Sequence, residues 1–353
     1  MSYTNGLDKP TDYFNTVLYT GNGSARTITG VGFQPDWVWV KDRSSANYHY
    51  LYDSVRGNNL NLFSNDASAE VNVTTGQNGG GIGSQASDGF NIVSGLVNTN
   101  NVNTSGNLYA SWNWLGANGT SSNTDGSITS TVSANTTSGF SIVSYTGNGS
   151  VATVGHGLGV TPKIFIVKNR TSSNSWPVYS SMTGNGNKLL LNSTGASSSS
   201  GNWNSTSPTS SVFTINGASG EVGASGNNYI AYCFAEKKGF SKFGSYTGNG
   251  NNDGAFIYTG FKPAFVINKI YSGTTSSWNI FDNKRDGFND QNKQLYADLS
   301  NAEASGGKID LLSNGFKVRS SSDEVNGSGY GYIYMAFAEN PLVGTNNIPA
   351  TAR

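Results

Sequence analysis

Apolar residues fall in short dense runs along this chain, and clusters of Gly, Asn and Ser separate them roughly every 8 to 15 residues, the turn spacing of a sandwich. The runs Trp37–Val40, Ile164–Val167 and Phe265–Ile267 are continuous and rich in Val, Ile and aromatic residues. Such a run predicts a strand covered on both faces. "NIVS", "FSIVSYTG" and "YIYMAF" alternate or run apolar over a strand's length. No window combines a helical apolar period with helix caps. A Pro stands before each central run (Pro35, Pro162, Pro263), which suits a strand entry better than a strand middle. The pattern predicts an all-β chain.

The same landmarks occur three times in the same order. "YTGNG" begins at Tyr19, Tyr145 and Tyr246. A Gly-x-x-Pro punctuation with a dense apolar run follows: "GFQPDWVWVKDR" from Gly32, "GVTPKIFIVKNR" from Gly159 and "GFKPAFVINKIY" from Gly260. The closing signature is "VNTSGNLYASWNW" from Val102, "VGASGNNYIAYCF" from Val222 and "VNGSGYGYIYMAF" from Val325. The opening-to-closing Tyr intervals are 90 (19 to 109), 84 (145 to 229) and 86 (246 to 332). Three landmarks at nearly constant spacing define a repeat.

Between the landmarks the copies agree more loosely. "HYLYDSVRG" at 49–57 matches "WNIFDNKRD" at 278–286, which aligns Asp53 with Asp282 and Arg56 with Arg285. The middle copy reads "WPVYSSMTG" at 176–184 and lacks the pair. The expected architecture is three tandem jelly-roll-like β-sandwich domains. These are 1–117 with a short N-terminal arm, 118–236 and 237–340, followed by a tail at 341–353. "NGTSSNTD" at 118–125 is the linker candidate, and the semi-apolar junction at 235–245 predicts close packing of the second and third domains.

Lys+Arg and Asp+Glu balance at 21 each, which argues against a nucleic-acid partner and gives no support for an anionic membrane surface. Charged residues are only 12% of the 353, so Asn, Ser, Thr and Gly must carry solubility, while 12% aromatics exclude a disordered chain. This is the profile of secreted adhesins, lectin-like modules and virion surface proteins. The single Cys233 excludes intrachain disulfides and sits in "YIAYCFAE", which predicts a buried thiol. The N-terminal stretch has neither a basic region nor an apolar core, and no run reaches membrane-spanning length, so neither export by a signal peptide nor membrane insertion is expected.

"YTGNG" lacks a Gly-Lys-Ser/Thr ending and a following helix, so it is not a phosphate loop. The favoured reading is a tight turn between two strands, with Gly and Asn at positive φ, and Tyr19, Gly21, Gly23, Tyr145, Gly147, Gly149, Tyr246, Gly248 and Gly250 as structural marks. Sugar or partner contact at the loop tip is the competing reading. His49 and His156 lie at non-equivalent places, so no metal site and no triad is expected. Asp53, Asp282, Glu70 and Glu303 could suggest a glycosidase pair, but a structural salt link with Arg56 or Arg285 is the better reading. The candidate sugar or partner contacts are Tyr48, Tyr50, Trp176, Trp203 and Trp278, set against packing under long loops, whereas Trp112 and Trp114 read as core. No cofactor is expected.

From "YTGNG…ITGVGFQPDWVWVKDR…LYDSVRG…LFSNDASAE…SDGF" through "AYCFAEKKGFSKFGSYTGNG" to "YMAFAENPLVGTNNIPATAR", the chain resembles a domain family of unknown function that is widespread in marine bacteriophage genomes. That resemblance implies a virion structural protein, often labelled tail fibre, built of LamG-like or concanavalin-like jelly rolls and bringing no catalytic residues. The expected role is non-enzymatic: a tail-fibre or receptor-binding component that adsorbs to host surface polysaccharide. A capsid decoration or head-fibre protein is the alternative, and a polysaccharide-degrading tailspike a weaker one. The implied partners are other virion proteins of tail or capsid, the implied place is the virion surface after assembly in the host cytoplasm, and analogy with phage fibres adds a homotrimer. Coiled-coil heptads, collagen-like repeats and a long N-terminal anchor, expected of elongated fibres, are missing from the sequence.

Overall fold

The computed structural model describes residues 7–75, 80–93, 101–343 and 350–351. The N-terminal arm and most of the tail therefore lie outside the described residues. Within them the fold is all-β, with one short 3-10 turn at Pro10–Asp12. No helix among them is long and apolar enough to cross a membrane.

The first repeat contributes β1 (Phe14–Thr20), β2 (Arg26–Thr29), β3 (Trp37–Asp42), β4 (Tyr50–Asp53), β5 (Leu60–Phe63), β6 (Val71–Asn72), β7 (Gly81–Ala86), β8 (Gly89–Val93) and β9 (Leu108–Trp114). The second adds β10 (Ser121–Asn123), β11 (Ser130–Asn135), β12 (Phe140–Thr146), β13 (Ala152–Gly155), β14 (Ile164–Asn169), β15 (Pro177–Ser180), β16 (Asn187–Leu190), β17 (Ser198–Ser199), β18 (Val212–Ile215) and β19 (Asn228–Phe234). The third adds β20 (Ser241–Thr247), β21 (Phe256–Tyr258), β22 (Phe261–Ser272), β23 (Asn279–Asp282), β24 (Gln291–Tyr296), β25 (Ala304–Leu312), β26 (Gly315–Val318) and β27 (Gly331–Pro341).

One antiparallel order recurs in each large sheet: β1-β9-β3-β4-β5, β12-β19-β14-β15-β16 and β20-β27-β22-β23-β24. The opening and closing tyrosines are cross-strand partners every time: Tyr19 with Tyr109, Tyr145 with Tyr229, Tyr246 with Tyr332. A smaller sheet covers the outer face, made of β2-β8-β7 in the first repeat and β13-β18 in the second. In the third, β25, β26 and β21 continue from the large sheet as one eight-stranded sheet.

The continuous apolar runs are explained by two cores. Side chains alternate across a strand, so Val38 and Val40 enter the first repeat's own sandwich core while Trp37 and Trp39 point the other way. Phe165 and Val167 oppose Ile164 and Ile166 in the same manner. The second set of faces forms a single cluster shared by all three repeats. In it Trp37 packs on Tyr232 with ring centroids 4.5 Å apart, Phe14 on Phe337 at 5.3 Å, and Phe234 on Phe337 at 6.0 Å. Each pair of repeats therefore touches, and the sandwiches form a closed ring around a common aromatic core.

Two local expectations change. Asn118–Asp125 is not a free linker: the Gly116 and Asn118 N–H groups donate to the Asp36 carboxylate at 2.8 and 3.0 Å, and Ser121–Asn123 pairs with β11. The sequence there is polar because it lies on the sheet's outer edge. Pro263 does not precede its strand but sits inside β22, where register shifts on both sides of it mark a bulge that absorbs the missing N–H.

Candidate functional site

"YTGNG" is an interlock rather than a hairpin turn, because it carries the chain from the large sheet (β1) to the small one (β2). The Tyr19 hydroxyl donates to the Val102 carbonyl at 2.7 Å, its ring stacks on Tyr109 at 4.9 Å, and the Thr104 N–H donates to the Tyr109 hydroxyl at 2.8 Å. Tyr145 with Tyr229 and Tyr246 with Tyr332 repeat the arrangement, donating to the carbonyls of Val222 and Val325. Burial pushes the Tyr19, Tyr145 and Tyr246 hydroxyls well above their ordinary pKa. The two glycines differ in task. A Cβ on Gly21 would stand 1.9 Å from the Thr104 carbonyl oxygen, so this residue is small because backbone lies against it. Gly23 is the one at positive φ (77°), as are Gly149 and Gly250, while Asn22 is not. The Asn22 carboxamide instead accepts from the Ser24 N–H and from Asn103 Nδ2.

Four of the five aromatic candidates are buried, which removes their rings as sugar platforms: Tyr50, Trp176, Trp203 and Trp278 are at most 3% exposed. Tyr50 and Trp203 fill the cores of their own sandwiches, and the loops of Trp176 and Trp278 pack against the next repeat. Trp176 Nε1 donates to the Asp66 carbonyl of the first repeat at 2.9 Å, and Trp278 Nε1 to the Leu190 carbonyl of the second at 2.9 Å. Trp203 Nε1 reaches the Asn187 carbonyl within its own repeat. Tyr48 alone is open, at 44%, with its ring 5.1 Å from Phe63. Trp112 and Trp114 lie in the shared core.

A recurring set of charged side chains lies at the three joints of the ring. At the joint of the first repeat with the third, Arg43 holds Glu303 with two bonds of 2.8 and 2.9 Å, and the Glu303 N–H donates to the Arg43 carbonyl. At the joint of the second with the first, Arg170 holds Glu70 at 3.0 and 2.9 Å with the same backbone bond. At the joint of the third with the second, the Ser197 N–H donates to the Tyr271 carbonyl, and the ion pair is replaced. A buried lysine closes each joint. Lys41 donates to the Ser300 carbonyl, Lys168 to that of Ala67 and Lys269 to that of Thr194, at 2.9, 2.9 and 2.8 Å. Burial pushes each of these ammonium groups down to about 8. The sequence carried the signal in "VWVKDR", "FIVKNR" and "VINKIY", where a Lys stands at the same place in the central strand three times.

The predicted salt links are present. Arg56 bonds Asp53 at 2.5 Å and Glu70 at 3.1 Å, and Arg285 bonds Asp282 at 2.5 Å and Glu303 at 3.1 Å. Each buried aspartate also receives a donor from the next repeat: the Tyr232 hydroxyl at 2.7 Å on Asp53, and Trp112 Nε1 at 3.0 Å on Asp282. Burial alone would raise the Asp282 carboxyl, but the Arg285 charge and the converging N–H donors outweigh it and hold its pKa below the ordinary value. In the middle repeat Ser180 stands at the aspartate's register position, and in the third repeat Met335 stands at the position of Trp112 and Tyr232. Donor and acceptor are lost together.

Both histidines are buried. Trp39 Nε1 donates to His49 Nδ1 at 2.8 Å, which fixes the proton of the neutral ring on Nε2. His49 Nε2 faces the backbone of Tyr296 and Leu299 across the joint without completing a hydrogen bond. The Leu158 N–H donates to His156 Nδ1 at 3.2 Å. Burial lowers the pKa of both, and it pushes the Cys233 thiol upward. Among the described residues no three His, Cys, Asp or Glu side chains gather as a metal site would require.

Among the described residues, two of the clefts open to solvent bear on a binding role. One, of about 610 Å³, lies beside β10 and β11 and is lined chiefly by Gly, Ser, Asn123 and Asp125. The other, of about 510 Å³, lies in the third repeat between Glu236, Lys238, Lys242, Tyr258 and Thr259.

These features define a class: a closed ring of three β-sandwich repeats with buried lysines and Asp–Arg–Glu links at its joints. The chain belongs to the family described as a domain of unknown function (DUF7483), whose model matches residues 9–341 and so spans all three repeats as one unit. No curated protein and no solved structure matches it.

Proposed function

We propose that this protein is a non-enzymatic surface component of a bacteriophage virion, a tail-fibre or receptor-binding block that adsorbs to host-surface glycans. The observation that carries the reading is the commitment of the carboxylates best placed for acid–base chemistry. Asp53, Asp282, Glu70 and Glu303 are each held by arginine within the ring, which suits a rigid recognition block and leaves these groups without a free acid–base role. The motif resemblance supplies the place, and the low charge with abundant Asn, Ser and Thr supplies a surface suited to the outside of a particle.

A second reading, a capsid decoration docked to other virion proteins, is favoured by the threefold pseudo-symmetry of the ring. A body with three similar faces matches a threefold position on an icosahedral shell. The same ring supplies within one chain the symmetry that a homotrimer would otherwise provide. Gold-labelled antibody to the protein, applied to intact virions, tests both. Label at the tail supports the first reading, label over the head shell supports the second, and absence of label from particles overturns both.

A further inference from the structure

The repeats share one strand order and one backbone bond at every joint, so a place where one copy alone exposes aromatic rings calls for its own explanation. That place is the short outer strand. Ile28 of β2, Val154 of β13 and Ile257 of β21 sit opposite Phe90, Phe213 and Phe316 and face the three sandwich cores. The residues flanking them are Thr27 and Thr29 in the first repeat and Thr153 and Gly155 in the second. In the third they are Phe256 and Tyr258, which are 47% and 58% exposed. Packing cannot account for them, because the other two copies fold with small residues there.

Their setting is that of a sugar platform. Residues two apart on a strand share a face, which puts the two Cα atoms about 7 Å apart along it. Gly315, the cross-strand partner of Tyr258, is small because a Cβ there would stand 2.0 Å from the Ile257 carbonyl oxygen, and the same absence makes room for the Phe256 ring, whose Cε2 would lie 3.2 Å from that Cβ. Tyr258 also walls the cleft of about 510 Å³, where Thr259, Glu236, Lys238 and Lys242 supply polar groups. Glu236 is already engaged, accepting from the Phe243 N–H at 2.8 Å and pairing with Lys242 at 3.5 Å. Lys238 is exposed and forms no ion pair among the described residues. The cleft thus holds two ammonium groups against one occupied carboxylate. A pyranose has an apolar C–H face and a polar rim, and that combination fits an aromatic ring beside a polar cleft. A protein partner would require a broader apolar patch than two rings bordered by Lys317 and Thr259.

We propose that the outer face of β21 and the adjoining cleft form a glycan subsite for an acidic polysaccharide, with sugar rings stacked on Tyr258 and Phe256 and an anionic substituent on Lys238. This rests on the host-adsorption reading and names the surface that performs it.

The test is affinity electrophoresis of the full chain through gels containing polygalacturonate, dextran sulfate or neutral dextran. Retardation by the first or the second is expected and identifies the anion as carboxylate or sulfate, and dextran is expected to retard less. Tyr258→Thr and Phe256→Thr install the residues that the first repeat carries, leave the charge unchanged, and are expected to weaken retardation about tenfold or more. Lys238→Gln is expected to abolish the preference over dextran. An unchanged melting temperature shows that the variants fold. Wild-type protein slowed by neither anionic polymer, equal slowing by dextran, or Tyr258→Thr binding like wild type each overturns the proposal. Such a failure with virion labelling intact removes only the subsite. Loss of labelling with retardation intact removes only the virion assignment.

Discussion

The Ser197 N–H and the Tyr271 carbonyl meet at 3.0 Å, at the one joint of the ring where the equivalent residues are not glutamate and arginine. The backbone bond survives in all three joints, so the joint's geometry does not depend on the ion pair. Ser197→Glu or Tyr271→Arg alone would place an unmatched charge in a half-buried seam and should destabilise the protein by about 1–3 kcal/mol. Together they rebuild the pair seen at the other joints. The expected outcome is a favourable coupling of about 1 kcal/mol or more, read by urea unfolding of both single variants and the double. Additive effects would show that the seam cannot seat the pair.

Acid should loosen the fold through its histidines. Burial lowers the folded-state pKa of both His49 and His156 below the unfolded value near 6.5. Below that value the unfolded chain binds protons that the folded chain refuses, so the histidines cost no stability above about pH 6.5 and cost progressively more as pH drops through the window beneath. Asp36 and Asp298, whose pKa values burial raises, act in the opposite sense at lower pH. Urea midpoints at pH 7.5 and 5.5 should therefore differ, and His49→Asn or His156→Gln should each shrink the difference. A pH-independent midpoint in the wild type would contradict the account.

The all-β class, the threefold repetition and the Tyr registers were legible because alternation and spacing are local properties, written in the order of residues. The ring was not. "VWVKDR" announces a strand with both faces covered, but not whether the second cover is a sheet of the same repeat or the neighbouring repeats, which is what surrounds Trp37 and Trp39. Trp176 and Trp278 were misplaced for the same reason, since a loop Trp that donates to a carbonyl of the next repeat looks on paper like an exposed one. Asp53 with Arg56 could be read because the partners lie three residues apart, whereas Arg43 with Glu303 could not. Phe256 and Tyr258 do leave a sequence signal, "AFIYTG" against "ARTITG", but it gains meaning only once Ile257 and Ile28 are known to fill equivalent places.

The two glycines of the opening motif should respond differently to alanine. At Gly21 the added carbon would meet the Thr104 carbonyl oxygen at 1.9 Å, and at Gly147 and Gly248 it would meet backbone oxygens at 2.3 and 2.2 Å. Relief requires prising the opening and closing segments apart, at a cost of about 3 kcal/mol or more. At Gly23 the nearest atom would be 3.7 Å away, and only the positive φ opposes alanine, for about 1–2 kcal/mol. Thermal melts of Gly21→Ala and Gly23→Ala should rank in that order. The reverse order would mean that the turn's backbone conformation matters more than the contact beneath it.

Two tryptophans of β9 give the sharpest contrast. Trp114 Nε1 is buried with no hydrogen-bond partner, and its register position holds Phe234 and Phe337 in the other repeats. Trp114→Phe removes an unsatisfied donor while leaving a small void, two effects of similar size and opposite sign. Its net cost should be below about 1 kcal/mol. Trp112 Nε1 donates to Asp282, a carboxylate buried with Arg285 at the joint between the first and third repeats. Trp112→Phe takes a hydrogen bond from a charged group with no access to water and should cost about 2–3 kcal/mol. Urea unfolding of the pair measures the difference directly, because ring size changes equally in both. Equal losses would show that the Trp112–Asp282 bond contributes nothing to stability.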